Sequence, residues 1–169
     1  MKTLEDLFLE NLSVMYDAEK QITKALPQMI ESARSADLQE ALESHLAETE
    51  GHSLMVEQIF DCFAVKTHGR KCEAVEGMLM EAERLIKDFG HSSALDAAII
   101  SAAQKLEHYE IASYGCLYNW SELLGNSEAA ELLASILEEE TMADAQLNEL
   151  AMTYSNEEAL GDELSTPNY

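Results

Sequence analysis

The sequence predicts an all-α protein, a bundle of four long helices with one short helix between the second and the third. Ala, Leu and Glu dominate the 169 residues, whereas only 7 are Gly and 2 are Pro, a composition that favours long helices. Apolar residues recur at helical spacings of three and four, and long alternating Val/Ile-rich stretches are absent. This length, with 47% apolar residues, is sufficient for one domain with a sizeable core.

The first long helix is predicted to run from just after Thr3 to about Ala33. Thr3 followed by Asp6 resembles a capping box, in which each side chain satisfies a free backbone N–H of the other residue. Pro27 lies inside the apolar pattern. Because Pro has no N–H, it should kink this helix or leave one backbone carbonyl unpaired.

The second long helix is predicted to begin near Asp37 and Glu40 and to end near Ala64. A short basic connection follows it. The short helix is then predicted over Glu73–Phe89, and Gly90 is a suitable residue to end it.

Ser92 or Ser93 is predicted to start the third long helix, which Gly125 closes. Asn126 is predicted to cap the fourth long helix. The stretch SNEEALGDE, residues 155–163, is expected to form a last short helix, for five or six helices in total. The predicted domain division is therefore a helical bundle over residues 1–154, followed by a terminal helix and polar tail over residues 155–169.

The order long, long, short, long, long predicts how these helices connect. Short loops join the first two long helices and the last two, so each pair should form an antiparallel hairpin. The short helix then serves as a crossover between the hairpins, which is the connectivity of a ferritin-like four-helix bundle. An up-down bundle with an extra helix packed outside is the alternative.

The charge and the residue pattern of the sequence argue against nucleic acid, membranes and secretion. There are 33 Asp and Glu against 10 Lys and Arg, giving a net charge of −23, so nucleic acid and anionic membranes should be repelled. The start of the chain lacks the basic and apolar regions of a signal peptide, and no apolar stretch reaches the length of a membrane span. Cys62, Cys72 and Cys116 form no CxxC pair. We therefore expect reduced thiols in a cytoplasmic protein.

All four long helices carry polar residues on their apolar stripes near mid-length. One such carboxylate usually lies at the edge of a stripe with its head in water. Buried together, these acids would be destabilised by lost hydration and mutual repulsion, and bound divalent cations would remove both costs. The residues concerned are Glu19, then His45, Glu48 and His52, then Glu107 and Glu110, and finally Glu140 and Asp144.

The two predicted hairpins match each other in the spacing of their acids. Glu48 follows Glu19 by 29 positions, and Glu140 follows Glu110 by 30. Two hairpins related by an approximate two-fold axis would present these carboxylates to a common centre. This arrangement is typical of dinuclear carboxylate sites in ferritin-like bundles.

A further candidate ligand follows the second Glu of each hairpin by four residues, His52 in one and Asp144 in the other. Residues four apart share a helix face. His45, three residues before Glu48, is the rival imidazole ligand, or else a core histidine that is hydrogen-bonded to a ligand. A ligand set rich in oxygen with at most two imidazoles favours Fe or Mn over Zn or Cu.

Four stretches of the sequence stand out as a set: MYDAEKQITKALP, ESHLAETEGH, AAQKLEHYEIASYG and LEEETMAD. They resemble the YciE/YciF family of ferritin-like bacterial stress proteins, and QKLEHYEIASYG is the most specific element. The resemblance extends from Thr3 to about Ala151. It implies a homodimer linked to stress responses, without an established biochemical activity.

A more distant resemblance is to rubrerythrin-type sites, whose ExxE element is matched by Glu107–Glu110. That pattern continues with ExxH on the second and fourth helices, but Gly51 and Ala143 occupy the two His positions here. His52 and Asp144 lie one step later. The four Glu positions of the pattern are matched by Glu19, Glu48, Glu110 and Glu140.

The leading hypothesis is a stress-associated protein with a carboxylate-bridged dimetal site of Fe or Mn, acting on peroxide or oxygen species. The alternative is a non-catalytic structural or interaction protein of the stress response whose metal site is degraded. Iron storage in a multi-subunit shell is a third reading. No catalytic residue is assigned. The predicted metal ligands are Glu19, Glu48, His52, Glu107, Glu110, Glu140 and Asp144.

Overall fold

The computed structural model describes residues 1–164 and the side chains of residues 1–161, and within that range it is helical without strands. The predicted all-α fold with a short crossover helix is therefore confirmed. A π-helical segment, Ala151–Ser155, precedes the last helix. The helices are α1 (Leu4–Ser32), α2 (Ala36–Cys62), α3 (Glu73–Phe89), α4 (Leu95–Leu123), α5 (Ser127–Leu150) and α6 (Asn156–Leu164).

Two polar contacts between helix ends show how the four long helices run relative to one another. The Asp96 carboxylate, at the start of α4, accepts the backbone N–H groups of Arg34 and Ser35 at 2.9 and 2.8 Å. At the opposite end, Asn126 Nδ2 donates to the carbonyl of Cys62 at 3.1 Å. The hairpins α1–α2 and α4–α5 therefore pack with α1 antiparallel to α4 and α2 antiparallel to α5. The crossover helix α3 packs on α1 and α4.

Two of the predicted helix starts are confirmed. Thr3 and Asp6 form the reciprocal capping box at the start of α1. At the start of α5, Asn126 Oδ1 accepts the N–H of Ala129 at 3.1 Å. Both contacts satisfy N–H groups that a helix leaves free in its first turn.

The starts predicted for α2 and α4 are wrong by a few residues. Ser35 rather than Asp37 caps α2, since its Oγ lies within reach of the Leu38 N–H. Helix α4 has Ala94 as its N-cap, without a side-chain hydrogen bond. Ser92 instead bonds the Ala94 N–H, within the turn before the helix, at 3.2 Å.

Backbone conformation explains where two of the long helices end. Gly125 has a φ of 74° and closes α4 as predicted, because glycine enters the left-handed region without strain. Ala64 adopts a φ of 53°, so α2 ends at Cys62, slightly before the predicted end. Helix α1 runs unbroken through Pro27.

Apolar side chains from α1 to α5 form one continuous core. It includes large, fully buried residues such as Phe8, Phe60 and Tyr114. No helix among the described residues has the length and hydrophobicity needed to cross a bilayer. The polar exceptions in this core lie near the middle of the bundle and constitute the candidate site.

Candidate metal centre

Six buried ionisable side chains, supplied by all four long helices, meet inside the bundle. They form two overlapping groups, and within each group the potential ligand atoms lie within 4.8 Å of one another. Glu140 belongs to both groups. We name the groups the His45 half-site (His45, Glu107, Glu110 and Glu140) and the His52 half-site (Glu19, His52 and Glu140).

Helical spacing explains why α2 contributes both histidines. His45, Thr49 and His52 are separated by four and three residues, so they share one face of the helix, and all three are buried. Glu48 lies beside this face, and its side chain is 36% exposed. The inward face of α2 is therefore centred on the histidines rather than on Glu48.

The His52 half-site is enclosed, and carboxylates surround the imidazole. Nδ1 of His52 lies 2.9 Å from Glu140 Oε1 and 3.9 Å from Glu19 Oε2. Nε2 lies 2.8 Å from Oε2 of Glu139, the residue next to Glu140. The fully buried Tyr114 hydroxyl donates a hydrogen bond to Glu19 Oε1. Each buried acid here has at least one polar contact from a neighbouring helix.

The His45 half-site lies closer to solvent. Nε2 of His45 is 3.2 Å from Glu107 Oε1, and Nδ1 is 3.8 Å from Glu48 Oε2. A narrow cleft reaches these residues from the surface between α2 and α5. Its free volume is about 10 Å³, roughly the space of one water molecule. The cleft is lined by Ala41, Leu42, His45, Glu48, Glu107, Ala143, Gln146 and Leu147.

Most ligand-type atoms of the cluster have no hydrogen-bond partner within the protein. Buried polar atoms are normally paired, because an unpaired one costs on the order of 1–3 kcal/mol or more. Here the unpaired atoms belong to neighbouring side chains that share one enclosed space, so a cation between them would satisfy several at once. The donor set of carboxylates and imidazoles thus fits a metal. The unpaired atoms are Glu19 Oε2, His45 Nδ1, His52 Nδ1, Glu107 Oε2, and both carboxylate oxygens of Glu110 and of Glu140.

Burial shifts the proton affinity of the cluster. It raises the pKa of Glu19 from 4.5 to about 7, with repulsion from Glu140 as the next cause. Burial also raises the pKa of Glu107 and Glu110 well above 4.5, and neighbouring carboxylates add to the effect. For His52, burial alone would lower the pKa, but the surrounding carboxylates raise it to about 9. The cluster therefore holds protons near neutral pH, and a bound cation would replace them.

Five of the predicted ligands lie together at this centre, and two lie at its edge. Asp144 is 23% exposed and is engaged with α4, where its Oδ1 accepts from Gln104 at 3.2 Å and lies 3.3 Å from His108 Nδ1. Glu48 lies at the mouth of the cleft. The assignment of all seven as ligands stays a prediction. The five that meet are Glu19, His52, Glu107, Glu110 and Glu140.

Sequence reasoning missed two residues that contact this cluster. Tyr114 is not among the predicted ligands, although its position four residues after Glu110 places it on the same helix face. Glu139 precedes the predicted ligand Glu140, and adjacent helical residues normally point in different directions. Only the position of α2 beside α5 places His52 within reach of Glu139. His45, which the sequence left as an alternative to His52, lies in the cluster together with it.

The fold and this cluster define the class of protein, a ferritin-like helical bundle with a buried group of carboxylates and histidines. Residues 3–160 match the family described as "Domain of unknown function (DUF892)". The chain is also 42% identical over 160 residues to Protein YciF of Escherichia coli strain K12, covering 94% of this chain and 96% of YciF. The chain belongs to this family, and the resemblance to YciE/YciF proteins is confirmed.

Solved structures agree with this placement. The crystal structure of the E. coli stress protein YciF matches with a TM-score of 0.88 and 43% identity, covering 92% of this chain and 99% of YciF. YcfI of Rhodopseudomonas palustris, described as a candidate structural protein, matches with a TM-score of 0.85 and 44% identity, covering 87% and 94%. A protein of Xanthomonas campestris pv. campestris is 19% identical with a TM-score of 0.73, covering 95% and 98%, and shares the fold.

Proposed function

We propose that this protein is a stress-associated ferritin-like protein that holds two Fe or Mn ions inside its bundle and acts on peroxide or oxygen species. The observation that carries the proposal is the shared position of Glu140, whose two unpaired oxygens lie between two groups of ligand atoms. A carboxylate in this position can bridge two cations. The similarity to the E. coli stress protein YciF supports the link to stress.

The two half-sites would supply different ligand sets. Glu19 and His52 would hold one ion, while His45, Glu107 and Glu110 would hold the other, and Glu140 would contact both. Carboxylate oxygen predominates, with one imidazole for each ion, and this mixture suits Fe and Mn. In this proposal Glu48 and Asp144 are additional ligands, which reach the ions only if their side chains rotate inward from the edge of the cluster.

The protein's own groups would prepare the centre for small oxidants. Burial excludes bulk water, and the cleft beside His45 has room for about one water molecule, so hydrogen peroxide would enter only when the side chains that line the cleft move apart. The proton that His52 Nε2 shares with Glu139 would offer a source of protons when peroxide is reduced to water. Bound Fe(II) or Mn(II) would supply the two electrons for that reduction, one from each ion, and an external reductant would restore the ions before the next turnover.

The test is peroxide consumption by the protein loaded with Fe(II) or Mn(II) and assayed with an added reductant such as ascorbate. We expect turnover by the unaltered protein and none by Glu140→Gln, while Glu138→Gln should match the unaltered protein because Glu138 is exposed. A loaded protein that consumes no more peroxide than Glu140→Gln would refute the proposed activity. Because the resemblance implies a homodimer, we also expect gel filtration to give the mass of two chains rather than that of a multi-subunit shell.

A second candidate function is a non-catalytic structural or interaction role in the stress response. The observation in its favour is Ala143, which occupies the position where the rubrerythrin pattern has a fourth-helix histidine and instead lines the cleft. The related YcfI is described as a candidate structural protein. This candidate predicts no peroxide turnover and little change in melting temperature when Fe(II) or Mn(II) is added.

A further inference from the structure

His52 lies between two carboxylates from consecutive residues of α5. Its side chain has no exposed surface, and Nε2 is 2.8 Å from Glu139 Oε2, whereas Nδ1 is 2.9 Å from Glu140 Oε1. The two acids differ in their surroundings, since the Glu139 side chain is 34% exposed and that of Glu140 is fully buried. The imidazole therefore connects the interior of the cluster with a carboxylate at the surface.

The two nitrogens of an imidazole ring have different roles when the ring binds a cation. One nitrogen offers its lone pair, and the other carries a proton that needs an acceptor. An ionised carboxylate can only accept hydrogen bonds, so Nε2 must carry the proton that is shared with Glu139. Nδ1 makes no hydrogen bond in spite of its short distance to Glu140. Its lone-pair direction is thus available to an ion between Glu19 and Glu140.

We propose that Glu139 is a positioning residue, which accepts the Nε2–H of His52 and so presents Nδ1 to a cation bound with Glu19 and Glu140. The inference rests on the proposed function, because it needs a cation at the His52 half-site. The rubrerythrin pattern has its histidine at position 51, whereas this chain has it at position 52. The proposal gives this shift a role, since the contact with Glu139 depends on where α2 places the imidazole ring. Carboxylates that accept from a ligating histidine commonly raise metal affinity by 10- to 100-fold.

A purely structural role is the competing explanation, because the same contact joins α2 to α5. The two roles differ in what they predict for the metal-loaded protein. A structural tie would change the melting temperature with and without metal alike. A positioning residue would change metal affinity and the protonation of the individual ring nitrogens.

The experiment uses the full chain labelled with ¹⁵N-histidine and titrated with Zn(II), which is diamagnetic and suits NMR. In the unaltered protein we expect the His52 signals to report metal on Nδ1 and a proton on Nε2. Glu139→Ala should weaken Zn(II) binding by about 10- to 100-fold and alter the Nε2 signal. Glu139→Gln, which keeps an oxygen acceptor without the charge, should lie between the two. The adjacent, exposed Glu138→Gln is the matched control and should behave as the unaltered protein does.

The outcomes separate this inference from the proposed function. If the unaltered protein binds no Zn(II), Fe(II) or Mn(II), the proposed metal centre fails. If it binds them, and Glu139→Ala and Glu139→Gln retain the same affinity and the same His52 nitrogen signals, the role assigned to Glu139 is refuted. If Glu139→Ala does not fold, Glu139→Gln decides between these results.

Discussion

The two half-sites share Glu140 but differ in their surroundings. At the His52 half-site, both imidazole nitrogens lie beside carboxylates, and Tyr114 donates to Glu19, so the ligands are held in place from outside. At the His45 half-site the imidazole lies farther from its carboxylates, 3.2 Å from Glu107 and 3.8 Å from the partly exposed Glu48, and a narrow cleft leads towards the surface. In the proposed metal centre, the enclosed His52 half-site would therefore retain its ion, whereas the His45 half-site beside the cleft would exchange its ion more readily.

The difference between the half-sites arises from the positions of the histidines and not from those of the carboxylates. One Glu from each hairpin, Glu19 and Glu110, follows the approximate symmetry that the sequence predicts, but both histidines come from α2. Helix α5 contributes Glu140 but has Leu137 and Asp144 at the positions that match His45 and His52 of α2. The carboxylates are thus arranged with approximate two-fold symmetry, whereas both imidazoles come from one hairpin.

Substitution of the shared ligand should have the largest effect. In the proposed centre, Glu140→Gln would remove a charged ligand from both half-sites, so we expect neither to bind Mn(II) measurably, a loss of affinity of at least about 100-fold. Calorimetric titration of metal-free protein measures this loss. Retention of one tightly bound ion by Glu140→Gln would show that the half-sites do not share this residue.

The two histidines should each control one ion. His52→Gln is expected to remove the more tightly held ion and His45→Gln the more exchangeable one, so that each variant binds about one Mn(II) where the unaltered protein binds about two. Equilibrium dialysis gives the stoichiometry. Two ions retained by His45→Gln would show that His45 is a core residue and no ligand.

Narrowing the cleft should slow access and leave affinity nearly unchanged. Ala143→Leu adds bulk to the lining of the cleft beside His45. We expect metal uptake at that half-site to slow on the order of tenfold, which corresponds to about 1.4 kcal/mol in the barrier. Stopped-flow mixing with Fe(II) measures the rate, and Ala134→Leu, on the exposed face of α5, is the control. Equal uptake rates in both variants would indicate another route of entry.

The smallest expected effect concerns the stability of the metal-free fold. Burial raises the pKa of Glu110 well above 4.5, so the folded state binds its proton more tightly than the unfolded state does. The stabilisation from that proton is complete below pH 4.5 and is lost as the pH rises through the raised pKa. Because glutamine does not ionise, Glu110→Gln should not lose stability in this way as the pH rises.

At pH 8 we therefore expect metal-free Glu110→Gln to melt about 2–4 °C higher than the unaltered protein, a difference of about 1 kcal/mol for a chain of this length. The advantage should shrink as the pH falls towards 4.5, and addition of Mn(II) should reverse it. Thermal melts over this pH range test the sign. A variant that is less stable at pH 8 without metal would contradict the account of a repulsive cluster.

Periodicity was sufficient to predict the helices and most of the buried polar residues of the cluster, because the helical pattern and the inward position of a residue can both be read within one helix. Glu19 and Glu140 break otherwise apolar stripes, and the structure buries both completely. Helix starts were less predictable, since near Ser35 and near Ser92 several neighbouring side chains could accept hydrogen bonds from the free N–H groups of the first turn.

The features that depend on how helices face one another could not be read from the sequence. Equal spacing of four residues made Glu48 and His52 equally plausible on the inward face of α2, but packing against α5 rotates Glu48 to the rim. The contact between His52 and Glu139 joins residues 87 positions apart, and no periodicity within one helix predicts it. The same is true of the hydrogen bond from Tyr114 to Glu19.

The most direct test is the metal content of the native protein, purified without chelator and crystallised for anomalous scattering. The account predicts two anomalous peaks of Fe or Mn inside the bundle, one beside each histidine and both beside Glu140, with about two ions per chain by elemental analysis. A content below about 0.1 ion per chain that Glu140→Gln leaves unchanged, with no peak in the cluster after loading, would contradict it.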